Sequence, residues 1–349
     1  MFSPEDLMVV ALSEAVKVTK RAVLPNPRVG AAILTKEGKL YFAHHKRAGE
    51  PHAEIEAMAA ALDAGASLAG ATIAVTLEPC AHVGKTPPCA DALIRAGFAK
   101  VIVGVQDPDP RVSGEGIRRL REAGIEVVEN LLEDRCTELN KEWLHAKRTG
   151  LPYVYLKMAT SLDGLWTAES GVSKWITGLD ARSHAQSLRA EVGAMVTSLK
   201  TVATDDPLFT ARDVHQEPLA VQPDLYVLSR QVEWGDAWGK QLYKCQQVPG
   251  RRVNEYRDEN LSALLEAMFS DGHMACMIEA GPQLSTVFLE ENLVQELWHY
   301  QGARYLGGNG KRLGRLAEGQ LPGLELEVQE TRRFDDGDLW VRSLIRTRP

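Results

Sequence analysis

Four residues in the first third of the chain have types and spacings that could do chemistry. His52 and Glu54 stand in the run Pro51-His52-Ala53-Glu54, and Cys80 and Cys89 close the two ends of a loop that begins Glu78-Pro79-Cys80 and ends Pro87-Pro88-Cys89. One imidazole and two thiolates are a ligand set for a catalytic zinc ion, which keeps three protein ligands and an open position for water. A zinc ion so held lowers the pKa of that water to about 7 and makes a nucleophile available at neutral pH. A carboxylate beside the metal but not on it, the place expected for Glu54, can take the water's proton and deliver it to a departing amine. A structural zinc site would close its shell with a fourth ligand, for which His82 is the nearby candidate, and would have no use for Glu54.

The pattern H-x-E followed by P-C and a second Cys is the signature of zinc-dependent deaminases, which remove an amino group from a ring carbon by hydrolysis. Here the loop between the cysteines has eight residues rather than the C-x-x-C spacing of the nucleobase enzymes. A short apolar strand over residues 71–77 delivers this loop. On a helix, positions 52 and 54 lie about 200° apart, so both reach one cavity only if His52 sits at the helix start. Pro51 fits such a start, an Ala-rich helix over 53–64 follows, and Gly65 closes it. A second helix is expected over 89–96. Ligands at helix N-termini also gain from the positive dipole end, which favours thiolates.

Around these segments the chain alternates strands and helices, the pattern of an α/β sandwich. Ser3-Pro4-Glu5-Asp6 opens a helix expected to run to Val23, stopped by Pro25-Asn26-Pro27. Strands are expected at 29–34, 39–44, 100–105 and 126–128, and helices near 117–123 and 131–147. A break at Lys147-Arg148-Thr149-Gly150 divides the chain into domains 1–148 and 149–349. The second half alternates again, with strands at 153–159, 194–197, 225–228 and 274–278, helices at 180–192, 261–269 and 284–291, and a hairpin of 324–333 with 338–346.

The 349 residues suffice for two domains with cores of ordinary size. A net charge of −7 and a pI near 5.8 argue against a protein that tracks a nucleic-acid backbone, which needs a basic stripe. No run approaches the roughly 18 apolar residues of a membrane span, and no signal segment is legible, so a soluble, cytoplasmic protein is expected. Cys136, Cys245 and Cys276 read as isolated reduced thiols.

Eight segments resemble the bifunctional riboflavin-biosynthesis deaminase-reductases over nearly the whole chain: PNPRVG (25–30), RAGEPHAE (47–54), TLEPCAHVGKTPPC (76–89), QDPDPRVSGEG (106–116), SLDG (161–164), SKWIT (173–177), TDDPLFTAR (204–212) and EAGP (279–282). The long loop between the cysteines is normal for that family. The resemblance implies a cytidine-deaminase-like α/β/α domain followed by a dihydrofolate-reductase-like α/β domain. It also implies two reactions: hydrolytic deamination of a phosphoribosylated diaminopyrimidinone with one Zn2+ per chain, then NADPH reduction of the ribosyl group to ribityl. By resemblance, His52, Cys80 and Cys89 hold the metal, Glu54 is catalytic, and Asn26, Ser173, Arg189, Phe209, Arg212 and Glu279 hold substrate. The two arginines suit its phosphate. Ala159, Trp175, Thr201, Asp205, Gly281, Pro282, Gln283, Leu284, Ser285, Thr286 and Val287 fall where the nicotinamide cofactor binds. A small-molecule partner, a homo-oligomer, no nucleic acid and no membrane complete the expectation.

The chain departs from the family where the strand at 225–228 ends in Ser229-Arg230 rather than Asp-Ser, and where Thr197-Ser198-Leu199-Lys200 replaces a glycine-rich run. Two other readings compete. In one, the second half is a reductase of a related metabolite or a binding module. In the other, the whole is a non-catalytic zinc protein.

Overall fold

The computed structural model describes residues 2–81, 88–109, 113–169, 176–213, 215–229, 236–312 and 324–346. His82, Ser173, Trp175 and Arg230 lie outside these residues. The chain divides into two compact units, Met1–Gly150 and Leu151–Pro349.

The first unit contains, in order, α1 (Pro4–Ala15), α2 (Lys20–Val23), β1 (Gly30–Leu34), β2 (Leu40–His44), α3 (Ala53–Asp63), β3 (Thr72–Val75), α4 (Cys89–Ala96), β4 (Lys100–Val103), α5 (Glu115–Glu122), β5 (Glu126–Val128), α6 (Glu133–Leu139) and α7 (Lys141–Thr149). Its five strands lie in the order β2-β1-β3-β4-β5. β1 is antiparallel to both neighbours, and β3, β4 and β5 are parallel. Alternate residues of each strand face opposite layers. Ala31, Ile33, Ile73, Val75, Val101 and Val103 pack with Ala53, Ala57 and Ala61 of α3, Leu93 of α4 and Leu120 of α5. Ala32, Ala74 and Ile102 pack on the other face with Leu7, Met8 and Ala11 of α1, Leu139 of α6 and Leu144 of α7. The result is an α/β/α sandwich. Gly30 is required, since a Cβ there would run into the carbonyl of Ala11 on the helix above it.

The first helix is shorter than expected. It ends at the C-cap Val16, and a separate turn starts at Thr19, whose hydroxyl accepts the Ala22 N–H. The run Val16-Lys17-Val18-Thr19 supplies three β-branched residues, which weaken helix, and a competing cap. The expected helix over 131–147 is likewise two helices. They are separated by Asn140, whose buried side chain accepts the Arg28 N–H at 2.9 Å and donates to the Arg28 carbonyl at 2.8 Å.

The second unit contains β6 (Tyr153–Ser161), α8 (Leu179–Glu191), β7 (Ala194–Ser198), α9 (Leu199–Asp205), β8 (Asp224–Leu228), α10 (Asp236–Gln246), β9 (Val253–Tyr256), α11 (Leu261–Ser270), β10 (Ala275–Ile278), α12 (Pro282–Glu290), β11 (Glu296–Gly302), β12 (Glu325–Arg333) and β13 (Leu339–Arg346). They build an eight-stranded sheet in the order β12-β13-β11-β6-β10-β7-β8-β9. The strands from β11 to β9 are parallel, and β12 and β13 form an antiparallel hairpin on β11. One face buries Val154, Leu156, Val196 and Ile278 under α11 and α12. The other buries Tyr155, Met195, Val227 and Met277 under α8, α9 and α10. Four elements, α9, α10, β9 and β11, have no counterpart among the sequence expectations. Cys136, Cys245 and Cys276 are buried free thiols, and burial pushes Cys136 up to about 12. Among the described residues no helix is long and apolar enough to cross a membrane.

Candidate active sites

In the first unit His52 is the N-cap of α3, with extended backbone, one position before the helix proper. That placement turns its ring toward the end of β3 while Glu54, on the first turn, points into the same cavity. Cys89 is the first residue of α4, directly after Pro88. Its N–H, free of any helical partner, donates to the Cys80 Sγ at 3.3 Å. His52 Nδ1 lies 3.3 Å from Cys89 Sγ and 3.6 Å from Cys80 Sγ, and all three ligand atoms fall within 4.8 Å of one another. Tetrahedral zinc, with Zn–S of about 2.3 Å and Zn–N of about 2.0–2.1 Å, sets N and S about 3.5 Å apart. The spacing therefore fits zinc.

Electrostatics agrees. Hydrogen bonds from the Cys89 thiol, from His52 and from the Cys89 N–H hold the Cys80 thiol down, at about 4, against the effect of its burial. The same pairing, with burial, pushes Cys89 up. Two thiolates this close are stable together only with a divalent cation between them. Burial pushes the Glu54 carboxyl up, because the side chain is almost wholly enclosed.

His52, Cys80 and Glu54 line a cavity of about 480 Å³, with Cys89 buried behind them; its walls also include Asn26, His45, Glu78, Asp107, Asp109, Trp143 and Lys147. His45 is buried, and burial pulls its pKa down. Its Nδ1 lies 3.0 Å from the Pro51 carbonyl and its Nε2 lies 3.1 Å from Asn26 Nδ2. The neutral ring donating to Pro51 and accepting from Asn26 satisfies both contacts. The amide of Asn26 is thereby fixed, with its oxygen left as an acceptor.

Glu78 was part of the motif but was given no role from sequence. Its buried carboxylate accepts N–H groups from Asp107 (3.1 Å), Gly114 (3.0 Å), Gly116 (3.0 Å) and Ile117 (3.3 Å). It thus ties the ligand loop to the start of α5. Gly116 permits this approach, because a Cβ there would overlap the Pro79 carbonyl.

In the second unit a larger cavity, about 1050 Å³, lies where β6, β7, β8 and β10 end. The C-terminal edge of parallel strands is the usual binding place in open α/β sheets. Ala159, Thr201, Asp205, Phe209, Glu279, Gly281, Pro282, Gln283, Leu284, Thr286 and Val287 all line it. Ser198 caps α9 through its hydroxyl, which accepts the Thr201 N–H at 3.2 Å. The departure from a glycine-rich run thus supplies a helix start.

Three expected residues among those described do not line the cavity. Ser285 is buried, and its hydroxyl turns back to the Gly281 carbonyl at 3.1 Å. Arg189 lies behind Glu279, to which its Nε and Nη2 donate at 2.6 and 2.7 Å. Arg212 donates to the Thr210 hydroxyl (3.1 Å) and the Gln216 carbonyl (2.6 Å). Ser229 lines the cavity and donates to Glu255 of β9 at 2.6 Å.

Among the lining residues that the sequence reading did not single out is Lys157 of β6. The signal was present, a single charged residue in an otherwise apolar strand run. Burial lowers its pKa, against the pull of Glu279. Its ammonium lies 5.9 Å from the centre of the Tyr300 ring.

Comparison with known proteins places both halves. Residues 5–105 match the cytidine and deoxycytidylate deaminase zinc-binding region, and residues 152–339 match the RibD C-terminal domain. The riboflavin biosynthesis protein RibD of Escherichia coli strain K12 is 38% identical over 344 residues, which span 90% of this chain and 91% of that one. This chain belongs to the RibD family. The RibD of Haemophilus influenzae is also 38% identical, over 90% of this chain and 87% of that protein. The solved structure of Acinetobacter baumannii RibD, form 2, superimposes with a TM-score of 0.86 at 34% identity, covering 98% of this chain and 99% of that one. A deaminase/reductase from Thermotoga maritima gives 0.84 at 28% identity, again over 98% and 99%. As a RibD enzyme the chain joins a zinc-dependent deaminase to an NADPH-dependent reductase.

Proposed function

We propose that residues 1–148 hydrolyse the 2-amino group of 2,5-diamino-6-ribosylamino-4(3H)-pyrimidinone 5′-phosphate, and that residues 149–349 then reduce the ribosyl group of 5-amino-6-(5-phosphoribosylamino)uracil to ribityl. The observation that carries the reading is the cluster of His52, Cys80 and Cys89 ligand atoms at a cavity that Glu54 also lines. The Thermotoga maritima relative is a diaminohydroxyphosphoribosylaminopyrimidine deaminase/5-amino-6-(5-phosphoribosylamino)uracil reductase, which supports the substrates.

In the deaminase, bound zinc acidifies water and so supplies the nucleophile. Every other part is performed by the chain. Glu54, enclosed beside the ligands, would take a proton from the attacking water as the carboxylate and hand that proton on to the leaving amine. Asn26, held by neutral His45, offers its amide oxygen to an N–H of the pyrimidine ring.

In the reductase, NADPH supplies the hydride. Gly281, Pro282, Gln283 and Leu284 at the start of α12, with Thr201 and Asp205 of α9 and Ala159 of β6, hold the cofactor. Lys157 directs its ammonium at an oxygen of the substrate, and Glu279 binds beside it, kept ionised by Arg189. This support from Arg189 differs from a direct grip on phosphate, which requires its fork to be released from Glu279. Ser173, Arg212 and Phe209 complete the substrate side, and Trp175 and the stretch through Ser285 and Val287 the cofactor side.

A coupled assay tests the whole. The purified chain given the diamino substrate releases ammonia, then oxidises NADPH in equal amount. A fragment of residues 1–148 releases ammonia without oxidising NADPH. Failure of the full chain to oxidise NADPH while it deaminates would leave the second half a binding module.

A further inference from the structure

Two positions where the chain departs from its family, Lys200 after β7 and Ser229 after β8, both line the cavity of the second unit. They are also neighbours in the sheet. β7 and β8 are adjacent and parallel, with Ser198 beside Leu228, so the segments that carry Lys200 and Ser229 leave the same edge side by side. The chemistry lies further along that edge. Lys157 is on β6 and Glu279 follows β10, and β6, β10, β7 and β8 are successive strands. Three strand spacings of about 4.8 Å separate β6 from β8, roughly 14 Å. A dinucleotide with its nicotinamide at the β6 end therefore has its adenosine toward β7 and β8.

Both departures change the charge there in one direction. A carboxylate at a strand end suits the ribose 2′-hydroxyl of NADH and repels the 2′-phosphate of NADPH, whereas a cation accommodates the phosphate. Ser229 removes the acid that the family carries at the end of β8, and Lys200 adds an exposed ammonium in place of a glycine-rich run. Glu255 of β9, which meets Ser229, is countered by Arg257: it accepts the Ser229 hydroxyl at 2.6 Å and the Arg257 Nε at 2.8 Å. Asp205, which also lines the cavity, favours the charged form of Lys157 and so stands toward the chemistry end. Three further lining cations are tied to the segment between β6 and α8. Arg182 donates to the Thr177 carbonyl, the Lys311 carbonyl accepts from the Trp166 N–H at 2.7 Å, and Arg312 donates to the Asp163 carbonyl at 2.8 Å.

We propose that Lys200 takes the 2′-phosphate of NADPH, that neutral Ser229 tolerates its charge where an acid would repel it, and that these two positions set this chain's preference for NADPH over NADH. The inference rests on the second unit's binding a nicotinamide cofactor, as assigned above.

The test is binding to the full-length chain, without turnover. Titration of nicotinamide fluorescence gives the dissociation constants of NADPH and NADH. Displacement of NADPH by adenosine 2′,5′-bisphosphate or by adenosine 5′-monophosphate isolates the 2′-phosphate. Wild type is expected to hold NADPH at least about a hundredfold more tightly than NADH. Lys200→Ala weakens NADPH and the bisphosphate by about tenfold or more, the scale of one charged hydrogen bond, and leaves NADH and the monophosphate unchanged. Lys200→Arg keeps the preference. Ser229→Asp, which restores the family's acid, weakens NADPH and not NADH. Unchanged NADH binding reports that the second unit is folded. Should Ser229→Asp fail to fold, Lys200→Glu, at an exposed position, brings the acid to the same end and abolishes the preference. A wild type that binds neither cofactor removes the reductase reading and this inference with it. A wild type that holds both cofactors equally, or a preference that Lys200→Ala and Lys200→Glu leave as strong as before, overturns this inference alone and leaves the reductase reading standing.

Discussion

The amino-terminal site concentrates its chemistry in four residues from two segments, with His52 and Cys89 at helix starts and Cys80 on the loop after β3, whereas the carboxy-terminal cavity gathers its lining from the ends of four parallel strands and the helices that follow them. Three donors on one metal tolerate little displacement, since their mutual distances are fixed by the ion. A large cofactor and a phosphorylated substrate are held by many contacts, each a modest share of the total. The first plan makes function depend on single atoms. The second makes it depend on the frame that keeps many segments together.

The sharpest way to break this contrast is Glu54→Gln. Zinc content stays at one per chain, ammonia release falls by at least ~10²–10⁴-fold, and reduction of the pre-deaminated intermediate is unchanged. Metal analysis and an ammonia assay on one preparation decide it; a variant that keeps most of its activity removes Glu54 from proton transfer.

Next comes the frame of the second cavity. Arg189→Ala leaves the largely buried Glu279 carboxylate without its fork and is expected to destabilise the second unit by about 3–5 kcal/mol. Denaturant melting followed by NADPH oxidation reads this, while deamination persists at concentrations where reduction is lost.

Lys157→Gln is expected to lower reductase kcat/KM by ~10–100-fold, the scale of one charged hydrogen bond. Because burial depresses the Lys157 pKa, the ammonium is lost as pH rises through a value below the ordinary lysine figure of about 10.4. The alkaline limb of the wild-type profile should therefore begin early, and in the glutamine variant it should disappear. An unchanged limb would separate Lys157 from the substrate.

The smallest effect belongs to Asp224 at the opposite end of β8. Burial raises its pKa, but hydrogen bonds from His273 and Arg252 outweigh burial and hold the carboxyl well below the usual range. A folded pKa below the unfolded value of about 3.9 contributes stability that is present above that pH and lost as pH falls through the folded value. Asp224→Asn is expected to cost about 1–2 kcal/mol at neutral pH and to flatten the acid side of the stability curve, as followed by thermal melts across pH.

The metal centre was legible in the sequence because its chemistry dictates residue type and spacing together. His52 needs its place before a helix, Glu54 needs the first turn, Cys80 needs the loop after β3 and Cys89 the start of α4. The layering was legible too, from apolar runs such as 100–105 between helical segments. The missed elements share a cause. β11 reads Glu-Leu-Trp-His-Tyr-Gln-Gly, and its polar residues are held by partners distant in sequence: Glu296 accepts from Tyr153, and His299 meets Thr160. α9 is a helix of seven residues started by a serine cap, too short for periodicity to show. Asn140 breaks a helix for the sake of Arg28, more than a hundred positions away in the chain, and no local pattern records that.

The four N–H groups gathered by Glu78 have a consequence for motion. Asp107 and Gly114 lie outside the helices and strands, and Gly116 and Ile117 are in the first turn of α5, where amides lack helical acceptors and ordinarily exchange with solvent quickly. Bound to one buried carboxylate, the N–H groups of Asp107, Gly114, Gly116 and Ile117 form a set that opens when that carboxylate lets go. Its amides should therefore exchange slowly and at a common rate. Glu78→Ala would set each of them free to exchange on its own.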